Sequence, residues 1–203
     1  MLRKLIFARR GWFTSPSAHL AACAALLVLA LAAPVARSQV TPGLDDDPYL
    51  IVHDYWNRHS TRATYEMVRN VERYHLADEN FWKEYREGHL QEARSGIVFV
   101  LKYVPNHPTA LHLLGVLARQ MGEVSYPIPY FERALRLLPQ HAYTRAQYGE
   151  YLGTIGMKEA ARRELREALL QEPNLLVAKA WLETLDTEGT KPPPPVTPLD
   201  VRP

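Results

Sequence analysis

Cysteine is almost missing from this chain. Its one cysteine, Cys23, lies near the start and none follows. Everything beyond it is closed to disulfides, thiol nucleophiles and cysteine-ligated metal. Past position 38 serine is sparse too, at Ser60, Ser95 and Ser125, none of them in a nucleophile-elbow context. No glycines gather into a phosphate-cradling loop. Seven histidines remain there, His53, His59, His75, His89, His107, His112 and His141, and none forms a two-histidine helix motif around an intervening glutamate. His107 and His112 are five apart across a turn and a helix start, a poor spacing for a shared metal. The run Asp45, Asp46, Asp47 lacks the alternation and distal glutamate of a calcium loop. No metal, cofactor or catalytic set is expected.

Acidic residues are absent from the first 38 positions, which hold the bases Arg3, Lys4, Arg9, Arg10 and Arg37. All 22 acids follow, against 19 of the 24 Lys and Arg, so the chain from Gln39 carries −3 where the whole carries +2. That part has no basic footprint for nucleic acid. The apolar stretch 20–36 is too short and alanine-rich for a comfortable membrane span, which needs roughly 20 strongly apolar residues. With the basic start it has the pattern of a secretory signal peptide, 1–38, with small Ala36 and Ser38 before a cut at Gln39. Uncut, the segment would anchor the chain in the inner membrane. Leu20-Ala21-Ala22-Cys23 also matches a lipoprotein signal, although the apolar run lies mostly after Cys23. Export to the periplasm suits a chain without cysteine. Arginine outnumbers lysine 18 to 6, a composition associated with GC-rich bacteria.

What is present is a period. Gly115, Gly122, Phe131, Ala134 and Pro139 of block 108–141 return 34 residues later as Gly149, Gly156, Leu165, Ala168 and Pro173 of block 142–175. Block 74–107 keeps Gly88, Ala93, Ile97 and Pro105, with Phe81 in place of the first glycine. Within 108–141, Leu111, Leu114, Gly115 and Ala118 form a helical stripe that Pro108 opens and Gly122 closes. A second helix presents Phe131, Ala134, Leu135 and Leu138, and small Gly115 and Ala134 let the two helices approach. Pro127 and Pro129 predict that this second helix begins late, with a slightly altered tilt. Residues 176–186 place Val177, Ala178, Trp181, Leu182 and Leu185 on one face, as a solvating end helix requires. Upstream, 61–76 reads as a helix, and 61–73 is assigned to it. The stretch 48–58 reads equally as a helix start or an extended segment, so 39–60 is taken as a linker with a short element. Residues 187–203 are a tail in which 191–203 hold six prolines, an extended polyproline-like end.

The 34-residue pattern resembles the tetratricopeptide repeat (TPR) family over roughly half the chain. The resemblance implies an all-α, right-handed superhelical array of antiparallel helix pairs with a capping helix over 74–186. It also implies a concave groove lined by each first helix. Carried over position by position, the groove would present Thr109, His112, Val116, Arg119 and Gln120, then Tyr143, Ala146, Glu150, Gly153 and Thr154. The degenerate block would add Trp82, Tyr85 and Arg86, as anchors or as core beneath a cap. The family's carboxylate clamp uses Lys and Asn where this chain has His112 and Val116, then Ala146 and Glu150, which argues against an acidic C-terminal peptide. The function implied is a non-enzymatic, exported scaffold that binds a protein or peptide partner in its groove and assembles an envelope complex. A small enzyme or accessory subunit, with a site completed by 48–76 and a polar cluster of Asp54, His59 and Glu66, is the alternative. Self-association is a third.

Overall fold

The computed structural model describes residues 49–187, and every regular element among them is helical. The expected signal segment 1–38, the acidic linker 39–47 and the proline-rich 191–203 lie outside the described residues. None of the described helices is long and apolar enough to cross a membrane. The stretch 49–60 is neither helix nor strand; it runs irregularly into a turn. Helix α1 is Arg62–Val71, started by the Thr61 hydroxyl, which accepts the Thr64 N–H at 3.1 Å. It widens into a π-type turn, Glu72–Leu76, which extended Ala77 ends. Helix α2 joins a second π-type turn, Asp78–Trp82, to Lys83–Glu87. Then come α3 (Leu90–Tyr103), α4 (Pro108–Gln120), α5 (Ile128–Leu137), α6 (Ala142–Thr154), α7 (Lys158–Gln171) and α8 (Leu176–Asp186).

The period is written in the backbone. Gly88, Gly122 and Gly156 have φ of 81°, 74° and 83°. After them the N–H groups of His89, Glu123 and Met157 reach back to the carbonyls of Glu84, Ala118 and Leu152, at 2.8–2.9 Å. Each bond is the previous one moved 34 residues on, and each closes a first helix in the same left-handed turn. A β-carbon there would cost roughly 1–2 kcal/mol through its clash with the next carbonyl. The second helices end alike, with the N–H groups of Val104, Leu138 and Glu172 on the carbonyls of Val100, Ala134 and Ala168. The pairs are α2/α3, α4/α5 and α6/α7. One continuous core of buried side chains runs through them, including Ile97, Leu111, Leu114, Phe131, Leu152 and Leu165, and ends on Trp181 and Leu185 of α8. Arg162 ties down the far end of α8, donating to Asp186 Oδ1 at 3.2 Å and to the Leu185 carbonyl at 2.6 Å.

The first repeat departs from this pattern. Phe81, buried, occupies the place where the later repeats have glycine. The helix breaks at Ala77 and only Lys83–Glu87 is regular α-helix. In the second repeat α5 starts at Ile128, after Pro127. Its counterpart α7 starts at Lys158, so α5 begins four residues late by the 34-residue register.

The expected close approach of α4 to α5 through Gly115 is corrected by the structure. A β-carbon on Gly115 would meet the Tyr151 ring of α6, at 2.9 and 3.0 Å. The Tyr151 ring also stacks on Phe131 of α5, centroids 5.6 Å apart, and its hydroxyl donates to the Val124 carbonyl at 2.5 Å. A tyrosine from the third repeat thus wedges into the second, and α4 packs its backbone on α3 and α6 instead of α5. Gly149, at the same offset, does face its own partner: a β-carbon there would lie 2.7 Å from Leu165 Cγ and 3.2 Å from the Ala161 carbonyl.

These contacts order two alanine substitutions in opposite directions. Gly149→Ala should cost about 1–3 kcal/mol by overpacking Leu165. Gly96→Ala, mid-helix and with nothing nearer than 3.8 Å, should stabilise by about 0.5–1 kcal/mol. Urea unfolding of both variants measures this; equal effects would contradict the packing described.

Candidate functional site

Residues 52–58 form a strap across the starts of α4 and α6. Its backbone is held at His53, whose N–H donates to the Tyr103 carbonyl at 2.7 Å. The ring of His53 meets the Thr64 hydroxyl at 3.1 Å, tying the strap to α1. Asn106, fully buried, accepts the Tyr55 N–H on Oδ1 at 2.9 Å and donates from Nδ2 to Asp54 Oδ1 at 2.7 Å. The other Asp54 oxygen pairs with His141 Nε2 at 2.7 Å and accepts from Gln140 Nε2 at 3.4 Å. Trp56 donates from its indole to Thr144 Oγ1 at 3.2 Å. Tyr55 packs on the His107 ring, centroids 4.6 Å apart, and Trp56 meets Tyr143 edge-on at 4.9 Å.

His107 shows why this edge suits a polar segment. Its Nδ1 accepts the Ala110 N–H at 3.3 Å and so caps α4, which leaves Nε2–H facing Glu72 Oε1 at 3.4 Å. The sequence offered Asp54 to a different cluster and 48–76 to an enzyme-like site, but not the strap, although a signal for it was present. Pro105-Asn106-His107, Pro139-Gln140-His141 and Pro173-Asn174-Leu175 recur at 34 residues, each putting an amide at the step into a first helix. Asn106 and Gln140 both hold Asp54.

The groove residues expected from the sequence divide into two groups. On α4, Thr109, His112 and Val116 are half-buried, and Arg119 and Gln120 are exposed. On α6, Tyr143, Glu150 and Gly153 are half-buried and Thr154 is exposed. Ala146 is corrected: it is fully buried, because its single carbon ends below the surface that longer side chains at that offset would reach. His112, Arg119, Tyr143 and Glu150 share one electrostatic neighbourhood. Burial, then the Arg119 charge, lowers the pKa of His112. Burial pushes the Glu150 carboxyl up to about 7, against the opposing pull of Arg119. Burial, then Glu150 and Tyr55, raises the pKa of Tyr143. Trp82, Tyr85 and Arg86 stand apart on α2. Trp82 is 37% exposed, and the Phe81, Trp82 and Tyr85 rings pack on one another at 5.0–5.9 Å.

Beside the strap lies a pocket of about 430 Å³, walled by Trp56, Tyr143, Ala142 and Leu175, with the polar Gln140, His141, Gln171 and Glu172 at its sides. The alternative cluster of Asp54, His59 and Glu66 does not assemble. Glu66 pairs with Arg62 at 2.7 Å, His59 packs on Tyr65, and Asp54 turns to His141. Glu84, Glu87 and His89 come close enough to share an ion, but they are surface groups at a helix end.

Two measurements test this site. Asn106→Ala strands the buried Tyr55 N–H and should cost about 1–3 kcal/mol. Amide exchange at Tyr55 and Trp56 should quicken, while that within α7 should not change beyond the global loss of stability; unchanged exchange in the strap would refute its anchoring. Glu150 gives a pH dependence. Its folded pKa, about 7, lies above its ordinary 4.5, so folding favours the protonated form. That contribution is whole below about pH 4.5 and lost as pH rises through 7. Glu150→Gln should therefore raise Tm relative to the parent at pH 8 and match it near pH 4. The same difference at both pH values would refute the burial.

No family model and no curated protein matches the chain. Among solved structures, the first TPR domain of Spaghetti (RPAP3) bound to an HSP90 peptide aligns with 60% of this chain and 91% of its own, at 15% identity and TM-score 0.43. An O-GlcNAc transferase variant of Thermobaculum terrenum aligns over 62% of this chain and 23% of its own, at 24% identity and TM-score 0.42. The MamA protein aligns over 60% and 63%, at 21% identity and TM-score 0.41. The chain thus spans less than two thirds of the length of the last two. By the 34-residue recurrence of its own glycine turns and helix ends along an all-helical chain, the protein is TPR-like over the described residues.

Proposed function

We propose that this protein is a non-enzymatic scaffold that binds an extended segment of a protein or peptide along the starts and outward side of α4 and α6. One observation carries the reading: that surface already holds a peptide, the chain's own strap. It does so through a main-chain N–H on Asn106, a carboxylate on His141 and two aromatic rings laid against His107 and Tyr143. These are the elements of peptide recognition, with backbone bonding for affinity and side-chain contacts for choice. Beyond the strap, Arg119 and Gln120 remain exposed on α4, and Tyr143 and Glu150 remain half-open on α6. Arginine and tyrosine are common binding anchors.

Export belongs to the same proposal and rests on the basic start and the apolar stretch 20–36. The scaffold would then work in the periplasm, in the assembly of a bacterial envelope complex. It would be anchored in the membrane only if that segment stays uncut.

The test is affinity purification of the tagged full-length protein from crosslinked, detergent-solubilised envelope. Arg119→Glu with Tyr143→Ala should abolish capture of any reproducible partner while helical content stays intact. Full capture by the double variant would remove the α4–α6 surface from consideration.

A further inference from the structure

The pocket beside the strap has a chemistry that its amide bonds decide. Gln140 turns its Nε2 to Asp54, at 3.4 Å, and lies beside His141 Nε2, at 3.1 Å, while Gln171 donates from its Nε2 to the Pro139 carbonyl, at 3.1 Å. Both amides thus turn nitrogen toward the protein, and each keeps its carbonyl oxygen, with at most one N–H, for a ligand. Glu172, exposed at the mouth, is an acceptor as well. His141 engages Asp54 through Nε2, so in its neutral form Nδ1 is a further lone pair. None of the lining residues is Lys or Arg, and the one lining histidine is matched by the Asp54 carboxylate behind it. The remaining walls are the Trp56 and Tyr143 rings, set at 62° to each other, and aliphatic Leu175.

An aromatic corner flanked by amide and carboxylate oxygens, with acid and no fixed base, fits a planar cation that carries many donors. We propose that this pocket receives an arginine side chain of the bound partner segment, its guanidinium face against the Trp56–Tyr143 corner and its N–H groups on the Gln140, Gln171 and Glu172 oxygens. Guanidinium satisfies both requirements at once, since it stacks on aromatic faces and presents five donors in a rigid plane. Lysine offers a charge but no plane, and is the poorer fit. The inference rests on the reading of this surface as a peptide site and names the side chain it selects. Because Trp56 belongs to the strap, the pocket exists only while the strap is seated, so strap and partner bind side by side.

The experiment titrates the full-length protein with the capped tripeptide acetyl-Gly-Arg-Gly-amide. The counterpart with citrulline for arginine keeps shape and most donors but loses the charge, and a lysine counterpart is run beside it. The indole N–H resonance of Trp56, identified by its loss in Trp56→Phe, reports occupancy. Arginine peptide should bind at least about tenfold more tightly than citrulline, with lysine between. Glu172→Gln, a surface change, should weaken arginine roughly threefold and leave citrulline unaffected. Citrulline binding as well as arginine, or no effect of Glu172→Gln, overturns the proposal. If no arginine peptide binds while partner capture still depends on Arg119 and Tyr143, the pocket inference fails and the scaffold reading survives. If arginine binds as expected but capture ignores the Arg119/Tyr143 variant, the scaffold reading fails, and with it the claim that the arginine belongs to a partner segment.

Discussion

A first helix in this array has to end in a turn that sends the chain back, because the second helix packs over the core that the first one began. A left-handed residue followed by a backbone bond to the fifth residue before it does this while pairing one of the last carbonyls. Gly88, Gly122 and Gly156 meet that requirement in turn, and the rest of the structure hangs from them. With the reversals fixed, Ile97, Phe131 and Leu165 arrive at equivalent depths, all essentially without exposed surface. The 34-residue period is thus a backbone constraint first and a side-chain pattern second.

What varies between the turns is how the space between helices is filled. Phe81 is buried in the first repeat where the others have glycine, Tyr151 fills the second from outside, and Leu165 fills the third directly against Gly149. The late start of α5 and the wedged tyrosine belong together. The 121–127 link is long enough for the Val124 carbonyl to meet the Tyr151 hydroxyl. Burial of that hydroxyl pushes its pKa up to about 12, against the opposing pull of Arg119.

Much of this was legible in the residues. Glycine and proline mark the helix ends because each acts on the backbone alone, so their meaning survives without knowledge of neighbours. The delayed α5 was readable for the same reason, and the capping helix from the spacing of its apolar face. The neighbour of Gly115 was not, since a glycine announces that something comes close but not what. Ala146 was misplaced because an offset specifies a direction, whereas reaching the surface also needs length. The strap was only half seen: Asp54 and the stretch 48–76 were singled out, but for an enzyme-like site and not as a tie across the repeats. His53, Asp54, Tyr55 and Trp56 have no period of their own, and their partners lie some 50 to 90 residues away in sequence. The recurring Pro-Asn-His and Pro-Gln-His steps held the clue, and it becomes meaningful only once a segment is seen lying across them.

The strap also changes what kind of object the array is. Stacked repeats touch only their neighbours, so such chains tend to fray from the ends and unfold piecemeal. Here Asp54 bonds to His141 and Trp56 to Thr144, contacts 87 and 88 residues apart, which join the start of the described chain to its third repeat. Opening the middle of the array therefore strains a tie that spans it. A linear stack becomes a closed loop, with long-range contacts that slow its assembly and couple the repeats into one cooperative unit.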